Sequence, residues 1–223
     1  MEIYKINFQK DYMKNQQTII LIPCYNEIKN LPLIIKKLKN YNILVVNDHS
    51  SDGTKKFLEK NKINHINAKK QLGQLNAIIM GFRYIIQNYK KCEYIITFDA
   101  DGEHKVSDIK KFMNKRKFNP DIIMGVRNRK NRIMENIISF LFYYKYKIKD
   151  PMTGFKMIKT KIIKENFNYL NNRHFFIDFL SEVSSKAKIL NVNITSPKRK
   201  GSSKHEGFIT NINILRTIFA VSI

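Results

Sequence analysis

Residues 94–104 read Tyr-Ile-Ile-Thr-Phe-Asp-Ala-Asp-Gly-Glu-His, an apolar run that ends in three carboxylates at alternating positions. Such a run ahead of an acidic, glycine-containing loop predicts a buried strand over Tyr94–Phe98 that finishes in a polar loop. Residues two apart on an extended chain project to one side, so Asp99, Asp101 and Glu103 can present several oxygens to one hard cation. Left unpaired, the three would repel each other. Neighbouring lysines can neutralise them, or a metal can. Magnesium or manganese, usually held by a few carboxylates plus substrate phosphates, explains the cluster better.

Outward from this stretch the same pattern repeats. Ile19–Ile22 and Ile43–Val46 are short apolar runs that end in polar loops, and Ile122–Gly125 is another. Between the strands, helices are predicted near Leu31–Leu38, Lys55–Lys60, Gln74–Asn88 and Ser107–Lys117. Alternating strands and helices imply a single α/β domain, with a mostly parallel central sheet flanked by helices on both faces. In such sheets ligands bind outside the carboxyl ends of the strands, and the polar clusters of this chain fall there. Pro23–Glu27 (PCYNE) follows the first run, residues 47–54 (NDHSSDGT) the second, and the acidic loop the strand at Tyr94. Asp48 adds a carboxylate near the same edge, although on local evidence alone an Asx turn or a helix cap, helped by Ser50 and Asp52, is the better explanation. Asp52-Gly53-Thr54 reads as turn and cap chemistry. Tyr25, Asn26 and Glu27 can hold a base or a ribose.

Two basic loops complete the set: Gly125–Arg129, with Lys130 and Arg132 behind it, and Pro197–Lys204 (PKRKGSSK). Guanidinium and ammonium groups there suit phosphate, and Arg can grip it with a bidentate fork. The whole chain of 223 residues carries a net charge of +23, which implies an anionic partner: nucleic acid, a phosphate-rich small molecule or an anionic membrane. Cys24 and Cys92 have neither metal nor redox spacing, which argues against a disulfide framework and for a cytoplasmic setting. The five histidines show no ligand spacing. No nucleophile elbow, GxxxxGK loop or dinucleotide-binding glycine pattern occurs. Neither a signal peptide nor a transmembrane helix is expected. Ile137–Tyr144 (IISFLFYY) and the last dozen residues, INILRTIFAVSI, read either as buried helix faces or as segments lying in a membrane interface.

Taken in order, from about Thr18 to Lys204, these loops resemble the family 2 glycosyltransferases of GT-A fold, a Rossmann-like nucleotide-diphospho-sugar transferase architecture. Within that family they are most similar to the polyprenyl-phosphate branch that includes dolichol-phosphate mannosyltransferase. IPCYNE resembles the family's IPxYNE, VVNDHSSDGT its VDDxSxDGT, and LGQLNAIIMGF its GxxxAxxxG segment. FDADGEH resembles the DADxQH of the lipid-phosphate branch, KDPMTGFK its DPTSGF, and KGSSK its GxSK. Asn47 replaces the first acidic residue of the family's paired Asp, Glu103 stands where Gln is common, and Lys198 where Arg is common, with Arg199 beside it.

The resemblance implies an inverting transfer of a sugar from a nucleotide-diphospho-sugar to a polyprenyl (dolichyl-type) phosphate, with Mg or Mn as cofactor. Asp99, Asp101 and Glu103 would hold the metal, and Asp101 and Arg127 would carry the catalysis. Substrate contacts would come from Pro23, Tyr25, Glu27, Asp48, Gln74, Asp99, Arg127, Lys198, Arg199, Ser203 and Lys204, with Asp48 on the base or ribose. A phosphate acceptor is already ionised at neutral pH and needs no general base. The implied organisation is an N-terminal extension (1–17), a catalytic domain (18–204) and a helical tail (205–223) at the cytoplasmic membrane face. A glycan or other hydroxyl acceptor is the nearest alternative. A basic nucleic-acid-binding module explains the charge alone, and its usual marks, Arg interleaved with exposed aromatics or a helix-turn-helix, are not evident.

Overall fold

The computed structural model describes residues 4–7, 17–102, 104–128, 133–171 and 176–195. In chain order its strands are β1 (Tyr4–Asn7), β2 (Thr18–Cys24), β3 (Asn42–Asn47), β4 (His65–Ala68), β5 (Tyr94–Thr97), β6 (Ile122–Arg127), β7 (Lys156–Lys159) and β8 (Ile189–Ile194). The helices are α1 (Leu31–Lys37), α2 (Thr54–Lys60), α3 (Gln74–Asn88), α4 (Ile109–Lys115), α5 (Ile133–Tyr146), α6 (Thr160–Glu165) and α7 (Ile177–Val183). The helix expected over Ser107–Lys117 is α4 flanked by two 3-10 turns, Val106–Asp108 and Arg116–Phe118.

All eight described strands form one sheet in the order β1-β4-β3-β2-β5-β7-β6-β8. The run β4-β3-β2-β5 is parallel throughout, and β6 pairs in parallel with β8. Two strands run against this direction. β1, inside the segment expected to be an N-terminal extension, adds antiparallel to β4, and β7 is wedged antiparallel between β5 and β6.

Alternation along the strands divides the core in two. Ile19 and Leu21 face one apolar cluster with Ala77 and Phe82 of α3, Phe142 of α5 and Phe179 of α7. Ile20 and Ile22 face the other with Leu31 of α1, Leu58 of α2 and Phe112 of α4. Strands buried on both faces need continuous apolar runs, which is what residues 19–22 and 43–46 supply. α3 lies close over β2 because Gly81 lacks a side chain: a Cβ there would sit 2.3 Å from Leu21 Cδ1. Cys24 and Cys92 are free and buried, and burial pushes the Cys92 thiol up to about 11, so neither serves as a ready nucleophile. Among the described residues no helix is long and apolar enough to cross a membrane.

Chain direction reverses across β2: β3 and β4 build out on one side, then α3 carries the chain back to β5 on the other. The crevice at the carboxyl ends of β2 and β5 is therefore the topological switch point, where the loops diverge and leave room for a ligand.

Candidate active site at the carboxyl edge of the sheet

One wall of the crevice is made by the loops after β2 and β3, which are sewn together. The Asn26 N–H donates to Ser50 Oγ (3.0 Å), and Ser51 N–H donates back to Asn26 Oδ1 (2.8 Å). Asp52 accepts from the Ile28 N–H and from both the N–H and hydroxyl of Thr54. Burial raises the Asp52 carboxyl and these hydrogen bonds outweigh it, holding the group below the usual carboxylate range. The expected turn role of Asp52-Gly53-Thr54 is thus what the fold uses. Asn47 Oδ1 accepts the Ser50 N–H, three residues on, at 3.2 Å, while its amide donates to Asn67 Oδ1.

Asp48 does something the local sequence gave no sign of. Its carboxylate is 3% exposed and accepts the backbone N–H groups of Leu72 (2.7 Å) and Gly73 (2.9 Å), one on each oxygen. It thereby fixes the entry to α3 and places Gln74, the first helical residue, at the mouth of the crevice. Gln74 Nε2 donates to Asp99 Oδ1 at 2.8 Å.

Asp99 is held from two further sides. His104 Nδ1 accepts the Asp99 backbone N–H at 3.0 Å, so the neutral ring carries its proton on Nε2, which lies 3.5 Å from Asp99 Oδ2. The imidazole is buried, stacked on Phe155 (centroids 4.9 Å apart) and set edge-on to Phe98. Burial pushes its pKa down against the pull of Asp99 and Asp101, which keeps the ring neutral. Gly154 supplies the third side: a Cβ there would sit 2.2 Å from Asp99 Oδ2, so only glycine admits the carboxylate. Asp101, two residues on, is exposed.

The opposite wall holds a buried ion pair. Arg127, at the end of β6, grips Asp150 with a fork (Nε to Oδ2 2.8 Å, Nη2 to Oδ1 3.0 Å), and its backbone N–H adds a third bond at 3.1 Å. Asp150 is 0% exposed. Glu135 of α5 approaches the same guanidinium at 3.3 Å. Within the electrostatic influence of both Asp150 and Asp99 is Lys156, on β7, with its ammonium against the Thr153 carbonyl and 4.9 Å from the Phe176 ring centre. Burial pushes the Lys156 pKa down to about 8 against the attraction of Asp99 and Asp150, so at neutral pH it still supplies a positive charge.

Asp99, Gln74, Asp101, Asp48, Tyr25, Glu27 and Pro23 thus all come to the carboxyl edge of β2, β3 and β5 or to the loop leading into α3. Arg127 stands at the corresponding end of β6, with its guanidinium engaged by carboxylates. Glu103, Lys198, Arg199, Ser203 and Lys204 lie outside the described residues. His104, Asp150, Gly154 and Lys156 were not singled out from the sequence. The KDPMTGFK motif contains three of them and was the available signal.

The family model described as "Glycosyl transferase family 2" matches residues 19–167, well over half of the chain and every loop of the crevice described above. The chain belongs to glycosyl transferase family 2. Among curated proteins, this family 2 chain is 33% identical over 169 residues to an uncharacterized protein of Methanocaldococcus jannaschii, covering 66% of this chain and 73% of that one. It is 27% identical over 122 residues to polyprenol monophosphomannose synthase of Mycolicibacterium smegmatis, covering 50% of this chain and 45% of that protein. The chain thus spans less than half the length of that second relative. Glucosyl-3-phosphoglycerate synthase from Mycobacterium tuberculosis, solved with UDP, superposes with a TM-score of 0.68 at 11% identity, over 92% of this chain and 80% of that one. The same enzyme with Mn2+ and UDP-glucose gives 0.68 at 12% identity, over 92% and 79%. At that identity the likeness establishes the GT-A fold. The family establishes the class of reaction, glycosyl transfer from a nucleotide sugar.

Among the described residues no cluster of three or more metal-ligating side chains is assembled. What stands at the crevice is a pair of oxygen donors, Asp99 fixed in orientation and Asp101 at the surface, with the His104 imidazole engaged by Asp99 itself, through the backbone N–H at Nδ1 and Oδ2 near Nε2. That donor chemistry fits a hard cation that takes its remaining ligands from phosphate oxygens and water.

Proposed function

We propose that this family 2 domain transfers a sugar from a nucleotide-diphospho-sugar to a polyprenyl phosphate. The observation that carries the acceptor is the state of the carboxylates around the crevice. Among the described residues Asp48 is occupied by two backbone N–H groups, Asp99 by Gln74 and His104, and Asp150 by the Arg127 fork, and the exposed Asp101 is given to the metal. A hydroxyl acceptor needs a carboxylate or imidazole poised to take its proton, whereas a phosphate arrives ionised and needs none. The sequence likeness to polyprenol monophosphomannose synthase supports the same choice.

Asp99 and Asp101, with Glu103, would hold Mg or Mn, which when bound supplies positive charge to the leaving diphosphate. The chain's own residues do the rest. Gln74, His104 and Gly154 fix the Asp99 carboxylate before any ligand arrives, so no reorganisation is needed at that oxygen. The stitched loops at Asn26 and Ser50 keep the donor wall rigid. Arg127 and the Lys198–Lys204 loop would meet the acceptor phosphate, and Lys156 adds a fixed positive field at Asp99 and Asp150.

Thermal unfolding with a panel of nucleotide sugars, with and without manganese, tests the donor. A donor at 100 times its Kd stabilises the fold by about 2.7 kcal/mol, a clear melting shift. Radiolabelled sugar from that donor is then expected on a polyprenyl phosphate. Transfer to a hydroxyl acceptor and none to the lipid phosphate overturns the acceptor assignment. Gly154→Ala tests the placement of Asp99. Overpacking is expected to cost about 1–3 kcal/mol by denaturant unfolding. Because the methyl displaces the carboxylate, the manganese-dependent melting shift should vanish in the folded variant. A retained shift would show that the position of Asp99 is immaterial to metal.

A further inference from the structure

α5 carries apolar residues on both of its faces. Inward, Ile138 and Phe142 are 1% and 0% exposed and belong to the core. Outward, Ile137 (42%), Phe140 (69%), Tyr143 (46%) and Tyr144 (79%) face solvent. Residues 137, 140 and 144 follow an i, i+3, i+7 spacing, so they form one stripe along the helix, with Tyr143 beside it. Between Asn136 and Lys145 every exposed residue of this helix is aromatic or a large aliphatic. The outward face of an ordinary surface helix is charged or polar, so this one is built for a different neighbour.

The charge around the stripe identifies that neighbour. Arg129, Lys130 and Arg132 immediately precede α5 in the sequence, and Lys145, Lys147 and Lys149 end and follow it. The Lys147 ammonium lies 5.5 Å from the Tyr143 ring centre, at the margin of the stripe. An apolar face edged by lysines and tyrosines matches the layering of a bilayer interface, with acyl chains below and anionic headgroups around. A second copy of this chain would bring another +23 against the first, which opposes pairing through this face.

We propose that the outward face of α5 inserts into the interface of an anionic phospholipid membrane, with Phe140 and Tyr144 deepest and Lys145, Lys147 and Lys149 against lipid phosphates. Glu135, in the first turn of the helix, touches Arg127. Glu135 shares the inward side of the helix with Ile138 and Phe142, at i+3 and i+7, so a membrane on the outward face lies about one helix width from the end of the crevice assigned to phosphate. Membrane binding stands on the helix alone, whereas its use, delivering a lipid phosphate to Arg127, rests on the acceptor reading above.

The test is co-sedimentation of the full chain with phosphatidylcholine vesicles made with and without phosphatidylglycerol. The wild type is expected on the anionic vesicles, less at high salt, and Phe140→Asp/Tyr144→Asp is expected to partition at least about tenfold more weakly. Phe118→Asp, at an exposed aromatic outside α5, keeps wild-type binding. The double variant is expected to keep its melting temperature and its donor-induced stabilisation. Equal binding of wild type and double variant overturns the proposal, as does a wild type that ignores vesicles. Dimerisation through α5 in sedimentation velocity would also overturn it, giving the face to a second copy. Turnover separates the two readings. With a water-soluble short-chain prenyl phosphate the double variant should match wild type, and with vesicle-embedded acceptor it should fall behind. If the wild type uses neither acceptor, the acceptor reading fails while the vesicle result still decides the role of α5.

Discussion

Asp101→Asn is expected to lower sugar transfer by at least about a thousandfold while leaving stability within about 0.5 kcal/mol of wild type. The two halves follow from one observation: Asp101 is exposed, in the turn after β5, two residues beyond a carboxylate that the fold has already oriented. An amide keeps one oxygen and loses the charge, and a hard divalent cation discriminates strongly against that exchange. A thousandfold loss corresponds to about 4 kcal/mol of transition-state stabilisation, in the range of metal-borne charge neutralisation. Steady-state transfer assays across a manganese titration check it, with circular dichroism melting as the control. Recovery of full turnover at high manganese would reduce Asp101 to an affinity determinant. The same variant separates the enzyme from a nucleic-acid-binding module. Removing a negative charge leaves RNA binding unchanged or tighter, so a protein whose function was RNA binding would not be impaired.

The strands legible in the sequence were those buried on both faces. Ile19–Ile22, Ile43–Val46, Tyr94–Phe98 and Ile122–Gly125 are continuous apolar runs because helices cover the sheet above and below. The missed strands lack that signature. β4 reads His-Ile-Asn-Ala, and its polar members are held by contacts that strand periodicity does not encode, His65 Nδ1 against the Ile63 carbonyl and Asn67 Oδ1 against the Asn47 amide of β3. β7 contains a lysine at its first position, and nothing in Lys-Met-Ile-Lys announces that Lys156 is 2% exposed. From Leu190 to Ile194 β8 alternates an aliphatic residue with asparagine at a sheet edge, and β1 is four residues in a segment expected to lie outside the domain. Ile137–Tyr144 divides both readings given to it: Ile138 and Phe142 are core, and Ile137, Phe140, Tyr143 and Tyr144 are surface.

The site divides along similar lines. Residues that follow strands at the switch point were legible, because loop composition and strand ends are local signals. The groups that set their geometry act over long separations. Asp48 reaches Leu72 and Gly73, Gln74 reaches Asp99, and Gly154 makes room for a carboxylate fifty-five positions earlier. No periodicity encodes such contacts. Only the motif containing Gly154 hinted at them, and a motif carries no information on which of its residues faces which partner.

Removing Arg127 is expected to damage both fold and activity, and comparison with Asp150 separates the two. Arg127→Met strips two charge-assisted hydrogen bonds from a carboxylate that is 0% exposed, leaving it the Arg127 backbone N–H and the field of Lys156. Uncovering a buried charge in this way costs about 3–5 kcal/mol. Asp150→Asn removes the charge itself, and Arg127, 16% exposed and still beside Glu135, retains a partner. Its cost is expected to be smaller, about 1–3 kcal/mol. The double variant should therefore be more stable than the sum of the singles predicts, by about 2 kcal/mol in urea unfolding. Strict additivity would show that the fork is not coupled in solution. Kinetics on the folded variants then assign the role of Arg127. If its guanidinium meets a phosphate, Asp150→Asn frees it and keeps turnover within about tenfold, while Arg127→Met loses at least about a hundredfold. Equal losses in the two variants would make the pair a structural brace between β6 and the loop before β7. The acceptor phosphate would then have to be met by the basic loop at Lys198–Lys204, where Lys198→Ala, Arg199→Ala and Lys204→Ala would locate it.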